Sequence, residues 1–193
     1  MIKTKEYENY QDYLNHQLEK TTSERVRKEE EENFDKNVDV FKKVFSFWIK
    51  ENKIKIKNTA CLGARSGAEV KALIELGANS IGFDLQENLP LVRYGDIHNI
   101  PEESLKYDFV FSNVFDHSLY PDKFAKEIER ILKPGGYILL QLAIGDSDDS
   151  YKANEIFEIS DILKLFKSSK IISKKEITWR GSINTEMLLI KNF

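Results

Sequence analysis

The sequence predicts an α/β fold: a three-layer α/β/α sandwich on a mostly parallel seven-stranded sheet, with an N-terminal helical extension. Three observations predict it. From about Ile54 onward, short apolar runs alternate with helical patterns, the order that builds parallel strands joined by crossover helices. One stretch, Thr59 to Asp84 (TACLGARSGAEVKALIELGANSIGFD), contains a whole unit of this kind: strand, glycine turn, helix, strand, acid. Before it, residues 1–52 contain no Gly or Pro, are highly charged, and carry aromatics at helical spacing.

The extension divides in two. Tyr7, Tyr10, Tyr13, Leu14 and Leu18 come first, and Phe34, Val38, Phe41, Phe45, Trp48 and Ile49 repeat at three and four residues as on one apolar helix face. Between them lies the charge run ERVRKEEEEN, either a solvated helix or link, or part of a lid that folds over a ligand mouth. The division expected is therefore a helical extension over 1–52 and a domain over 53–193.

In that domain the first strand ends at Cys61 and Leu62, and the helix Glu69 to Leu76 buries Val70, Leu73 and Ile74, with Gly77 after it as a left-handed terminator. Strands follow at Ser80–Phe83, Pro90–Tyr94 and Tyr107–Ser112, the last apolar enough to be buried on both faces. Pro121 opens a helix with Phe124, Ala125, Ile128, Ile131 and Leu132 inward, and Lys133 to Gly136 is expected to end it. Tyr137–Leu142 is the fifth strand. The polar loop GDSDDS precedes a helix over Glu155 to Phe166, and two strands near Lys170–Thr178 and Glu186–Lys191 finish the sheet.

Composition limits the function. The chain has 193 residues, and Lys+Arg 29 against Asp+Glu 32 gives a net charge of -3, so no overall positive field exists to hold nucleic acid. Its one cysteine, Cys61, excludes an intramolecular disulfide and a thiolate metal cluster, and reads as a small core residue. Three scattered histidines, His16, His98 and His117, do not make a metal site. The opening MIKTKEYENY lacks the apolar core of a signal peptide, and no run approaches the ~20 apolar residues of a membrane span. A cytoplasmic protein without membrane attachment is expected, its oligomeric state open.

The succession CLGARSGAE, GFDL, YGDIHNIP, YDFVFSNVFDHS and LKPGGYILL resembles class I S-adenosylmethionine-dependent methyltransferases, in particular the small branch called methyltransferase type 11, whose fold is Rossmann-like. The resemblance covers about Ile54 to Phe193. It implies S-adenosyl-L-methionine as cofactor. It implies that Gly63, Ala64 and Gly67 form the turn against the methionine portion and ribose, and that Asp84, with Leu85 beside it, takes the ribose hydroxyls. Asp96 and the Ile97 backbone would read the adenine, and Asn113 and Val114 would close the methionine end. Two positions depart from the family: Cys61 stands where an acid is usual, and Arg65 where the middle glycine is. Arg65 could reach the cofactor carboxylate or pair with Glu69.

His117, just past the fourth strand, is the candidate general base, with Asp116 as its partner or as an acceptor ligand; the bland alternative is a histidine that braces a loop. Asp96 could likewise be only a turn former after Gly95. The expected activity is methyl transfer to a small molecule, such as a hydroxyl of a saccharide or other metabolite. Amino-group methylases of nucleic-acid bases carry Asn-Pro-Pro-aromatic where this chain has SNVFD, so a nucleic-acid acceptor is disfavoured. The alternatives are a nicotinamide-dependent oxidoreductase, for which Arg65 would replace the glycine facing the pyrophosphate, and a non-catalytic cofactor-binding or interaction module.

Overall fold

The computed structural model describes residues 2–145, 149–180 and 182–193; half of the GDSDDS loop, residues 146–148, lies outside the described residues. The chain opens with a two-residue strand β1 (Lys3–Thr4) and three helices, α1 (Tyr10–Thr22), α2 (Glu24–Glu32) and α3 (Phe34–Glu51). There follow β2 (Asn58–Leu62), α4 (Ala68–Glu75), β3 (Asn79–Asp84), β4 (Val92–Tyr94) and β5 (Tyr107–Ser112). The last elements are α5 (Pro121–Ile131), β6 (Leu132–Leu142), β7 (Asn154–Glu155), α6 (Ile159–Leu163), β8 (Ser169–Arg180) and β9 (Ile183–Lys191).

Seven strands form one sheet in the order β4-β3-β2-β5-β6-β9-β8, and β1 pairs with β7 apart from it. The pairs from β4 through β6 are parallel, and β9 runs antiparallel to both β6 and β8. The chain moves outward from β2 through β3 to β4, then returns to lay β5 on the other side of β2. This reversal leaves a crevice at the carboxyl ends of β2 and β5, where open α/β sheets bind ligands.

Both faces of the sheet are covered. On one, α3 and α4 bring Phe41, Phe45, Trp48, Val70 and Leu73 against Cys61, Phe109, Phe111 and Leu139. The Trp48 indole N–H donates to Glu186 Oε2 at 2.8 Å, and Gln141 Nε2 donates to Oε1 of the same buried carboxylate at 2.9 Å, pinning α3 to β6 and β9. On the other, α5 and α6 bring Phe124, Ile128, Ile131 and Ile162 against Leu62, Val110, Ile138 and Leu140. Burial raises the Cys61 thiol above its ordinary range and leaves it an inert core group.

Two segments differ from the sequence expectation. The helix expected over Glu155–Phe166 is reduced to α6, because the backbone before it is taken by tertiary contacts. Asn154 pairs with Thr4, Ile156 bridges Ile144, and the Ile156 carbonyl accepts from Gly145 N–H at 2.8 Å. Likewise LKPGG does not form a helix terminator. Helix α5 ends at Ile131, and Leu132 turns extended (φ -84, ψ 137) to pair with Tyr107, so the Pro-Gly-Gly segment lies inside β6 at a register shift.

Candidate active site

The floor of the crevice is the turn between β2 and α4. Gly63 adopts φ +77 and Gly67 φ +81, both in the region that disfavours side chains, and a Cβ on Gly63 would lie 2.3 Å from Val114 Cγ2. The turn is stitched to the tip of β3: Gly63 N–H donates to the Phe83 carbonyl at 2.8 Å and Arg65 N–H to Asp84 Oδ2 at 3.0 Å. Asp84 Oδ1 accepts from Gln86 N–H at 3.3 Å, so each carboxylate oxygen keeps a lone pair for a ligand. Burial pushes the Asp84 carboxyl above its ordinary range, against the backbone hydrogen bonds that lower it.

A cleft of about 550 Å³, its open mouth included, is lined by Gly63, Arg65, Asp84, Leu85, Asp96, Ile97, Val114 and His117. Helix α1 supplies the facing wall with Tyr13, Gln17, Lys20 and Thr21. A second cavity of about 920 Å³ meets the first at Lys20, Gly63, Arg65, Val114 and His117, and continues past Ala64, Asn113 and Asp116. Gly67 borders neither; it is the left-handed residue from which α4 starts.

Asp96 is engaged on both oxygens. Tyr10 O–H donates to Oδ2 at 2.5 Å, and His98 N–H donates to Oδ1 at 2.8 Å. Because Tyr120 N–H donates to His98 Nε2 at 3.2 Å, the ring proton sits on Nδ1, 3.1 Å from Asp96 Oδ1. Burial pushes the Asp96 carboxyl up, but the bonds from His98 and Tyr10 outweigh it and hold it below its ordinary value.

His117 is partly buried and lines both cavities. Its Nδ1 lies 3.0 Å from the Tyr151 carbonyl, which can only accept, so the proton is on Nδ1 and the lone pair is on Nε2. Lys20 Nζ approaches Nε2 at 3.4 Å while bonding Asp149 Oδ2 at 2.8 Å. Burial is the main cause that lowers the imidazole below its ordinary value; Lys20 adds to it, and Asp116 and Asp149 oppose it. A neutral imidazole at neutral pH results. Tyr13 O–H donates to the His117 carbonyl at 3.0 Å and ties α1 to the same loop.

The sequence reading named site residues only after residue 52 and weighed the earlier helices as a lid; α1 contributes four of the lining residues. Those residues, with Tyr10, fall on one stripe at 10, 13, 17, 20 and 21, a signal present in the helical spacing. The partner of Arg65 was also not foreseen. Its Nη1 lies 2.9 Å from Glu30 Oε1, and Ser66 Oγ donates to Glu30 Oε2 at 2.6 Å, so the charge run in α2 is latched onto the glycine turn.

No curated protein matches the chain in sequence. Residues 60–140 match the family model described as a methyltransferase domain, a stretch from β2 into β6 that carries the glycine turn, Asp84, Asp96 and His117. The match supports an S-adenosylmethionine-dependent methyltransferase.

Solved structures share its fold at low identity. The 1,6-didemethyltoxoflavin-N1-methyltransferase of Burkholderia thailandensis, solved with 1,6-didemethyltoxoflavin and S-adenosylhomocysteine, is 11% identical with a TM-score of 0.71. The match covers 100% of this chain and 95% of that one. A SAM-dependent methyltransferase of Aquifex aeolicus is 18% identical over 72% of this chain and 86% of that one, with a TM-score of 0.56. The [4+2]-cyclase SpnF is 10% identical over 78% and 80%, with a TM-score of 0.61, so the fold by itself does not fix the reaction. Among the described residues, no helix is long and apolar enough to cross a membrane.

Proposed function

We propose that the protein transfers a methyl group to a hydroxyl of a small molecule, such as a saccharide or other metabolite, with His117 as general base. The observation that carries this reading is the Nδ1 bond to the Tyr151 carbonyl, which fixes the tautomer and puts the lone pair on Nε2 of a ring that lines both cavities.

The residues fit an adenosyl cofactor. Asp84 has free lone pairs at the rim of a glycine turn that no Cβ could enter at Gly63. In this reading Asp84 takes the ribose hydroxyls with Leu85 beside it, and Asp96 and the Ile97 backbone face the adenine. Gly63, Ala64, Asn113 and Val114 border the methionine end, and Gly67 holds the turn. Arg65 orders the cover through Glu30. When bound, S-adenosylmethionine supplies an activated methyl group, so the protein's task is alignment, exclusion of water and removal of a proton. His117 Nε2 accepts that proton from the acceptor hydroxyl. Residues 1–52 then act as a helical extension whose α1 and α2 close over the domain of residues 53–193.

The test is turnover, read as S-adenosylhomocysteine formation with a panel of saccharides and hydroxylated metabolites. Because the imidazole is held below its ordinary value, the active neutral form persists to lower pH, and turnover should rise with pH below about 6.5 and be flat at neutrality. His117→Ala should lower turnover by ~10² to 10⁴-fold. His117→Gln keeps a hydrogen-bonding group but cannot take a proton. Full activity of that variant with the same pH profile would exclude the base.

A further inference from the structure

The second cavity, which adjoins the cofactor cleft at His117, carries a carboxylate that has no partner among the described residues. The charged groups that line it are Lys20, Arg65, Glu30, Glu69, Asp116 and Asp149. Both cations are spent within the protein: Lys20 Nζ lies 2.8 Å from Asp149 Oδ2, and Arg65 Nη1 lies 2.9 Å from Glu30 Oε1. Glu69 is buried and has contacts of its own. Asp116 is different. It is only 7% exposed, yet among the described residues its carboxylate receives no hydrogen bond and joins no ion pair; only its main-chain carbonyl is engaged, by Ala153 N–H at 2.9 Å. Buried charges are normally paired, and one left open on a cavity wall awaits a donor from a ligand.

We propose that Asp116 receives a protonated amine on the acceptor, so that the substrate class is hydroxylated amines: amino alcohols or amino sugars. This rests on the hydroxyl-methylation reading above. A protonated nitrogen has no lone pair to offer, so the ammonium is the handle and the neighbouring hydroxyl is the nucleophile. As the oxygen–methyl bond forms, the methyl–sulfur bond breaks and the hydroxyl proton passes to His117 Nε2, while the ammonium keeps all its protons. A cation is favoured over a second hydroxyl because a charge-assisted bond is roughly twice as strong as one from a neutral donor.

The test compares three probes of matched shape by saturation-transfer NMR and titration: 2-aminocyclohexanol, 1,2-cyclohexanediol and 2-hydroxycyclohexanecarboxylate. The amino alcohol should bind at least tenfold tighter than the diol, and the acid most weakly. Asp116→Asn should abolish that order while leaving S-adenosylhomocysteine affinity unchanged. Equal affinities for the three probes, no binding of the amino alcohol, or a preference that survives Asp116→Asn would overturn the proposal. Turnover on a neutral alcohol alongside such a result would leave methyl transfer standing. Failure to bind S-adenosylhomocysteine would overturn methyl transfer itself, since the charge preference is read on the protein alone.

Discussion

Helices α2 and α3 follow one another in the chain, yet they are held by different forces. Five residues of α3 are buried, among them Phe45 at 0% exposure, whereas α2 buries none and α1 only Tyr13. Helix α3 is a layer of the core. The α1–α2 pair is held over the cleft largely by polar contacts: Tyr10 to Asp96, Tyr13 to the His117 carbonyl, Lys20 to Asp149 and Glu30 to Arg65. Apolar burial is lost only when the fold opens, whereas polar contacts can be exchanged for water one at a time. We infer that the cover lifts to admit ligands while the core stays shut.

Phe45→Ala should break this contrast most severely, because a large buried aromatic typically costs about 3–5 kcal/mol on truncation. At roughly 2–4 °C per kcal/mol for a chain of this size, the melting temperature should fall by about 6 to 20 °C. A small shift would mean that α3 is no more integral than α1 and α2. Glu30→Gln should cost much less, on the order of 1 kcal/mol or below, since the pair with Arg65 is partly solvated. Its signature should be local: faster amide hydrogen exchange in α2 with the melting temperature nearly unchanged. A large drop in melting temperature would place α2 in the core.

The smallest effect sharpens the comparison from the cover's side. Tyr10→Phe removes the donor on Asp96 Oδ2 and, in the proposed binding mode, frees that oxygen for the adenine. Cofactor affinity, measured by calorimetry, should rise about two- to fivefold, the equivalent of one ordinary hydrogen bond. Weaker binding would show that Tyr10 assists the cofactor instead of competing with it.

The same contrast explains what the sequence could reveal. Gly63, Gly67 and Asp84 were legible because a strand-turn-helix-strand unit is set by short-range spacing and by the backbone conformation that only certain residues allow. The apolar face of α3 was legible from its period, although spacing alone did not say that it would pack on the sheet rather than on a lid. The contacts of the cover were not legible. Glu30 and Arg65 are 35 residues apart, Tyr10 and Asp96 86, and Lys20 and Asp149 129, and no periodicity links such pairs. The short β7–α6 segment was misread as one helix because Ile156 and Phe166 are buried as a helix face would be, while the backbone hydrogen bonds of residues 153–156 go to distant strands and loops.

Asp84 offers the most direct test of the account, since every later step needs the cofactor on the glycine turn. Titration calorimetry with S-adenosylhomocysteine should show binding to the wild-type protein and none with NAD. Asp84→Ala should weaken it by about ten- to a hundredfold, the loss of charge-assisted hydrogen bonds worth ~1.5 to 3 kcal/mol each, with the melting temperature of the unliganded protein little changed. Unchanged affinity in the variant, or tight binding of NAD by the wild type, would contradict the assignment of the site.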